Sequence, residues 1–204
     1  MKNLTDTCVV LRSIDFKESD KILTLFGKHL GKFPIIAKGV RKIESKNRGY
    51  IQTLSVIKIS AVQVHGMPIL KEVDGIYIPD YTIKEYQNIE RVLFMINKFI
   101  PENEPDDDIF DGLVKTIKSK FTLESVNRFR ILFLIKQGVF NPELECTVCG
   151  KKGEYLNKLD FSISCNDHIG FDNENMIKLD SSVYSKLDFT VSLDNYINRI
   201  LKGI

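Results

Sequence analysis

Cys146 and Cys149 are separated by two residues, and after 15 more residues Cys165 and His168 repeat the same spacing. Nothing else in the chain restricts its folding so strongly. A two-residue spacer lets one tight turn aim both side chains at a single ion, and two such turns complete a tetrahedron of soft and borderline ligands. Zinc suits that shell, with Zn–S near ~2.3 Å and Zn–N near ~2.0 Å. Gly150, directly after Cys149, is well tolerated in such a turn. Four protein ligands leave no open position, so the expected Zn2+ is structural rather than catalytic. Cys8, next to Val9, Val10 and Leu11, is expected to be a buried small hydrophobe.

Enzyme signatures find little support. Zinc deaminases need His-x-Glu ahead of Pro-Cys-x-x-Cys, but Pro142 does not directly precede Cys146 and no His-x-Glu occurs. His29 and His65 lack the spacing of a zinc protease helix and read as ordinary surface or turn residues. There is no phosphate-binding glycine loop, no nucleophile elbow and no βαβ setting for thiol redox chemistry. No catalytic residue is assigned. The N-terminus has no stretch resembling a secretory leader, and no apolar run approaches the roughly 18 residues that span a bilayer. The expectation is a soluble, cytosolic protein that is not an enzyme, with no membrane partner.

Five segments are rich in β-formers: 7–14, 21–26, 32–37, 53–64 and 68–78, punctuated by Gly27, Gly31, Gly39, Gly49 and Gly66. Five short strands with no helix between most of them suggest a small barrel of the oligonucleotide-binding type. Within 54–64 the apolar side changes: Ile57, Ile59 and Ala61 share one parity, Val62 and Val64 the other. A bulge or sharp bend would produce this. After Pro79 the period becomes helical. Ile89, Val92, Leu93, Ile96, Phe99 and Ile100 mark one helix, and Phe110, Leu113, Val114, Ile117 and Phe121 a second, opened by Pro105 and an Asp run. A third, about 123–137, is apolar nearly all round and is expected to be central and buried. Residues 156–164 suit a hairpin arm, and a last helix is expected over 194–202 with Asp194 as its cap. The expected class is α+β: a barrel over 1–80, then a helical domain over 81–204 carrying the zinc knuckle at 146–168.

Charge is uneven. The net charge is +2, but residues 12–48 hold 10 Lys/Arg against 4 Asp/Glu. Lys38, Arg41, Lys42, Lys46 and Arg48 fall in a glycine-bounded loop between two strand candidates, opposed only by Glu44. Cations at a barrel mouth neutralise phosphates and release counterions. Arg12, Lys17, Lys21 and Lys32 could extend the patch. Phe16, Phe33 and Tyr50 lie near these cations in sequence but read as core.

Two blocks together resemble the RecO family of bacterial recombination mediators. The first is VVLRSIDFKESDKILTLFGKHLGKFPIIAKGVRK, with Glu18-Ser19-Asp20, Leu23-Thr24-Leu25-Phe26, Gly31-Lys32 and Ala37-Lys38-Gly39-Val40-Arg41-Lys42 at the family's marked places. The second is FRILFLIKQGVFNPELECTVCG, which looks like the family's run of helix, glycine, proline and paired cysteines. The resemblance implies a DNA-binding barrel, a helical domain with a zinc site, and annealing of complementary strands. It also implies partnership with RecR, contact with the tail of single-strand binding protein, and, through these, loading of RecA. Arg128, Arg130 and Lys136 lie on the helix that meets that tail in the family. The chain departs from the family pattern in being short after the zinc site and in having Ser162, Ile163 and Ser164 where a glycine pair often stands. An RNA-binding barrel with a zinc ribbon, and a zinc or thiol enzyme, are the competing classes.

Overall fold

The computed structural model describes residues 2–202 except Val64, Phe171 and Asp172. Val64, part of the expected change of apolar parity, therefore lies outside the described residues. The chain forms two compact units, Met1–Phe121 and Thr122–Ile204.

The first unit opens with β1 (Lys2–Phe16), β2 (Asp20–Gly27), β3 (Gly31–Ala37), β4 (Val56–Gln63) and β5 (Ile69–Tyr77). They close into a barrel in the order β1-β2-β3-β5-β4. All neighbours are antiparallel except β3 and β5, which meet in parallel at Ile36 and Ile69. The pleat explains the pattern: in β3, Gly31, Phe33, Ile35 and Ala37 are buried, alternating with half-buried Lys32, Pro34 and Ile36. Inward residues from every strand, among them Val10, Leu23, Ile35, Ile57 and Leu70, fill the interior. The β4–β5 register slips between Ser60 and Ala61, beside the change of apolar parity, and the β1–β2 register slips between Val10 and Arg12. Such slips sharpen strand bending, which a small closed barrel requires.

Helices α1 (Tyr86–Phe99) and α2 (Asp107–Lys118) complete this unit. Asp106 caps α2 by accepting from the Ile109 N–H at 3.0 Å, and Asp107 and Asp108 occupy the first turn, where carboxylates oppose the helix dipole. Phe110 of α2 meets Phe26 of β2, ring centroids 5.9 Å apart. The sequence groups α1 and α2 with the residues that follow, whereas compact packing groups them with the barrel.

The second unit contains α3 (Leu123–Lys136), a small antiparallel sheet of β6 (Tyr155–Asn157), β7 (Ile163–Ser164) and β8 (Met176–Lys178), and α4 (Leu187–Lys202). Half of α3 is buried, including Val126, Phe129, Ile131, Phe133 and Leu134, as its all-round apolar character predicts. The hairpin expected over 156–164 is β6–β7, pairing Leu156 with Ile163. Helix α4 begins seven residues earlier than expected, so Asp194 sits inside it and not at its cap. The class is α+β. No helix among the described residues is long and apolar enough to cross a membrane.

Candidate nucleic-acid interface and metal centre

The loop from Lys38 to Tyr50 is fastened at both ends. Val40 and Ile51, 3% and 6% exposed, are plugged into the barrel core. The Tyr50 ring lies where a Cβ on Gly75 would be, so only glycine permits this approach. Between these anchors the backbone makes successive turns: Lys42 N–H donates to Gly39 O, Ser45 to Lys42, Arg48 to Ser45 and Tyr50 to Asn47, at 3.1–3.3 Å.

Two carboxylates tie the start of the loop to the β1–β2 hairpin. The Gly39 N–H donates to Asp20 Oδ1 at 2.8 Å, and the Arg41 N–H donates to Ser19 O at 2.9 Å. Asp15 accepts both Lys21 Nζ and the Arg41 guanidinium, each at 3.3 Å, and Arg41 also reaches Lys17 O. The structure thus brings Lys17, Lys21, Lys38 and Arg41 to one end of the barrel, continuous with exposed Lys42, Lys46 and Arg48. Lys32 stands apart. It lies at the opposite end of β3, six residues or roughly 20 Å from Lys38, and its ammonium donates to Asn97 O at 3.2 Å. Arg12 is exposed in mid-β1, opposite Thr24. Phe33 is core, while Phe16 is half-buried under Lys17 and Tyr50 is 39% exposed. Asp20 belongs to the Glu18-Ser19-Asp20 motif, whereas Asp15 has no sequence signal beyond standing before Lys17 and Lys21.

The second cluster lies in the other unit. Cys146, Cys149, Cys165 and His168 offer ligand atoms all within 4.8 Å of one another. Cys149 and Cys165 sulfurs are 3.8 Å apart, and His168 Nδ1 is 3.4 Å from Cys165 and 3.7 Å from Cys146. A tetrahedral ion bound at about 2.0–2.3 Å needs ligand–ligand edges of roughly 3.5–3.8 Å, so the donor set fits a metal ion. The turns that build it are visible. Gly150, at φ +70°, donates its N–H to Cys146 O at 2.9 Å, and the His168 N–H donates to Cys165 O at 3.0 Å. Burial opposes ionisation of Cys146, but N–H groups of Cys165, Val148 and Cys149 aimed at its sulfur outweigh that and bring the thiol down to about 6. A thiolate is the form that binds metal. Cys8, by contrast, is buried in the barrel core with its thiol pushed well up by desolvation.

Arg128, Arg130 and Lys136 do not form one surface. Arg130 is 3% exposed, and its guanidinium binds Asp194 of α4 at 2.6 Å. Its period on α3 points it inward, so it serves the fold and cannot meet a partner. Arg128 is exposed, pairs with Glu124 at 2.9 Å and lies 4.4 Å over the Tyr184 ring; Lys136 is exposed at the helix end. Asp194→Ala takes a carboxylate partner away from the buried Arg130 guanidinium. Because Asp194 is itself partly exposed, the expected cost is about 3 kcal/mol, at the low end for broken buried pairs, read by chemical denaturation. An unchanged midpoint would show that the pair contributes nothing net.

A family model described as Recombination protein O N terminal matches residues 1–78. The chain is 27% identical over 182 residues to the DNA repair protein RecO of Shouchella clausii (strain KSM-K16), an alignment taking in 86% of this chain and 70% of that protein. Against DNA repair protein RecO of Thermoanaerobacter sp. (strain X514), identity is 29% over 187 residues, with 81% and 68% covered. Against that of Syntrophomonas wolfei subsp. wolfei (strain DSM 2245B / Goettingen) it is 23% over 162 residues, with 74% and 63% covered. The chain thus spans about two thirds of the length of the curated relatives it matches.

Proposed function

We infer that this chain, a member of the RecO family of DNA repair proteins, serves recombinational repair as a DNA-binding and strand-annealing mediator. The observation that carries the reading is the basic loop, pinned by Asp20 and Asp15 to one end of a closed five-stranded barrel. The strand order and the parallel β3–β5 closure support an oligonucleotide-binding barrel over residues 1–80, followed by a helical region over 81–204 with its knuckle at 146–168. Lys17, Lys21, Lys38, Arg41, Lys42, Lys46 and Arg48 are the phosphate contacts, with Arg12 at the margin. Lys32 is left out, because it is engaged by Asn97 at the other end of its strand. Annealing then needs no bond chemistry. Two strands held by their phosphates on one cationic surface pair faster because their mutual repulsion is screened and their search is local.

Zinc is the ion we assign to the knuckle, since three thiolates and an imidazole in a closed tetrahedron are its usual structural ligands. RecR, the acidic tail of single-strand binding protein and, indirectly, RecA are the proposed partners, at work in the cytoplasm on the nucleoid. Of the proposed tail-binding residues, Arg128 and Lys136 remain at the surface.

The test is annealing of two complementary labelled single strands across a salt series, with RNA strands in parallel. Faster DNA annealing that fades as salt rises supports the reading; acceleration of RNA alone would replace it with an RNA-binding one. Asp15→Asn sharpens the test. Asp15 occupies two cations that phosphate must otherwise win, so its neutralisation should raise DNA affinity about two- to fivefold, the equivalent of an exposed ion pair. Weaker binding by Asp15→Asn would mean that the carboxylate is needed to shape the site.

A further inference from the structure

We propose that Ile43 is a wedge that inserts between neighbouring bases of the strand held by the basic loop, an inference that rests on the DNA-binding reading above. Ile43 is 90% exposed, the most exposed large apolar side chain among the described residues. Exposure of a single apolar residue is ordinary, but the setting of this one is not. Val40 in the loop and Ile51 directly after it are buried in the barrel core, so the loop has access to apolar shelter and Ile43 does not use it. Nor is Ile43 on a slack segment. It follows Lys42, whose N–H is bonded to Gly39 O, and precedes Ser45, whose N–H is bonded to Lys42 O, each at 3.1 Å. Gly39 and Arg41 are in turn held by Asp20 and Ser19. The turns therefore present Ile43 outward from a fixed base.

Its neighbours select the occupant. Arg41 and Lys42 precede it and Lys46 and Arg48 follow, all exposed, with Glu44 the one opposing charge in that stretch. An apolar tip ringed by cations suits a partner that is anionic outside and apolar within reach, and a nucleic acid strand has both properties: phosphates along its edge and base faces between them. Proteins that bind the minor groove of duplex DNA insert apolar side chains, isoleucine included, between base steps and partly unstack them. The same wedge on a single strand needs its backbone held on either side, as the flanking cations would do. The cations would supply affinity without regard to sequence, and the wedge would keep the bound bases from stacking on each other. Bases held apart are free to meet a complementary strand, which gives the loop a part in annealing beyond tethering.

The experiment uses the full chain and single-stranded oligonucleotides carrying one 2-aminopurine, whose fluorescence rises when it loses a stacking neighbour, in a series that moves the label along the strand. Binding by the unaltered protein should brighten the label at a subset of positions. Ile43→Ala should abolish that brightening and weaken binding about tenfold, the low end for an aliphatic side chain that loses its burial, while the slope of affinity against salt stays the same because no phosphate contact is removed. Ile43→Phe should restore the brightening. Ile43 is in water, so neither change threatens the fold. If the unaltered protein binds DNA in a salt-dependent way but brightens no label, or if Ile43→Ala brightens it as fully, the wedge is overturned and the DNA-binding reading stands. A contact between Ile43 and an acidic protein segment would give that same dark result. If the unaltered protein binds no DNA, both fall together.

Discussion

Cys146→Ser is expected to lower the melting temperature of the unit formed by residues 122–204 by more than about 10 °C. The sheet around the Cys/His cluster cannot stand alone: β6, β7 and β8 have three, two and three residues, well short of an independently stable sheet. What it has is a short list of buried side chains, Leu156, Phe161, Ile163 and Ile177, and the cluster of Cys146, Cys149, Cys165 and His168 that could hold a metal ion. Because the unfolded chain holds no preformed site, metal binding at such a cluster is folding energy, on the order of 10 kcal/mol in isolated zinc modules. Losing one ligand forfeits part of that, and even ~3 kcal/mol corresponds to roughly 15 °C for a unit of this size. Damage should spread beyond the knuckle, because Phe161 stacks on Tyr196 of α4 at 4.5 Å and also meets Phe140 and Phe189. Thermal scans with and without a chelator check this. The chelator should bring the unaltered protein down to the variant and leave the variant where it is. Equal melting of both proteins in the presence of zinc would dismiss a structural metal.

Replacing Lys38, Arg41, Lys42 and Arg48 together by alanine should lower the slope of log affinity against log salt by about 3, at roughly 0.7 per phosphate contact for single strands. At moderate salt that is a loss on the order of a hundredfold. The four side chains are exposed, and Val40 and Ile51, which anchor the loop, remain. Melting should therefore be nearly unchanged while annealing is lost. Lys32→Ala serves as the control: its ammonium is bonded to Asn97 O, so its removal should leave the salt slope intact. A slope unaltered in the fourfold variant would move the DNA to another face.

Much of this could be read from residue order, and the exceptions have specific causes. The barrel strands were legible because one side of each faces an apolar interior, which writes a period of two into Phe33, Ile35 and Ala37. The paired-cysteine spacing was legible because a tight turn has few ways to chelate. Helix α4 was read too short because its buried side includes Thr190 and Ser192, 0% and 6% exposed. An apolar-period reading cannot see polar residues there. Thr190 is tolerated inside because its hydroxyl accepts from Asn127 Nδ2 at 2.7 Å, a partner 63 residues away. Arg130 escaped for the same reason: it is buried against Asp194, which only the folded helix pair brings near. Lys32 shares a strand with the loop's cations but sits at the wrong end of it. Sequence distance along an extended strand is real distance, whereas composition treats the whole strand as one patch.

The 15-residue β1 pairs with β2 through its second half and with β4 through its first. The β1–β2 and β2–β3 hairpins are local and can form in microseconds. The seam that shuts the barrel is different, since it joins Val9 to Val56 across the whole basic loop. Closure of such a distant seam is slow. During synthesis the outer rim of β1 would wait unpaired until β4 has left the ribosome, and that of β3 until β5 has followed. An open three-stranded meander is a template for joining other chains, so the vulnerable moment for this protein comes before the barrel shuts. Mutations that loosen β4 or β5 should appear first as poor yield from cells, ahead of any defect in handling DNA.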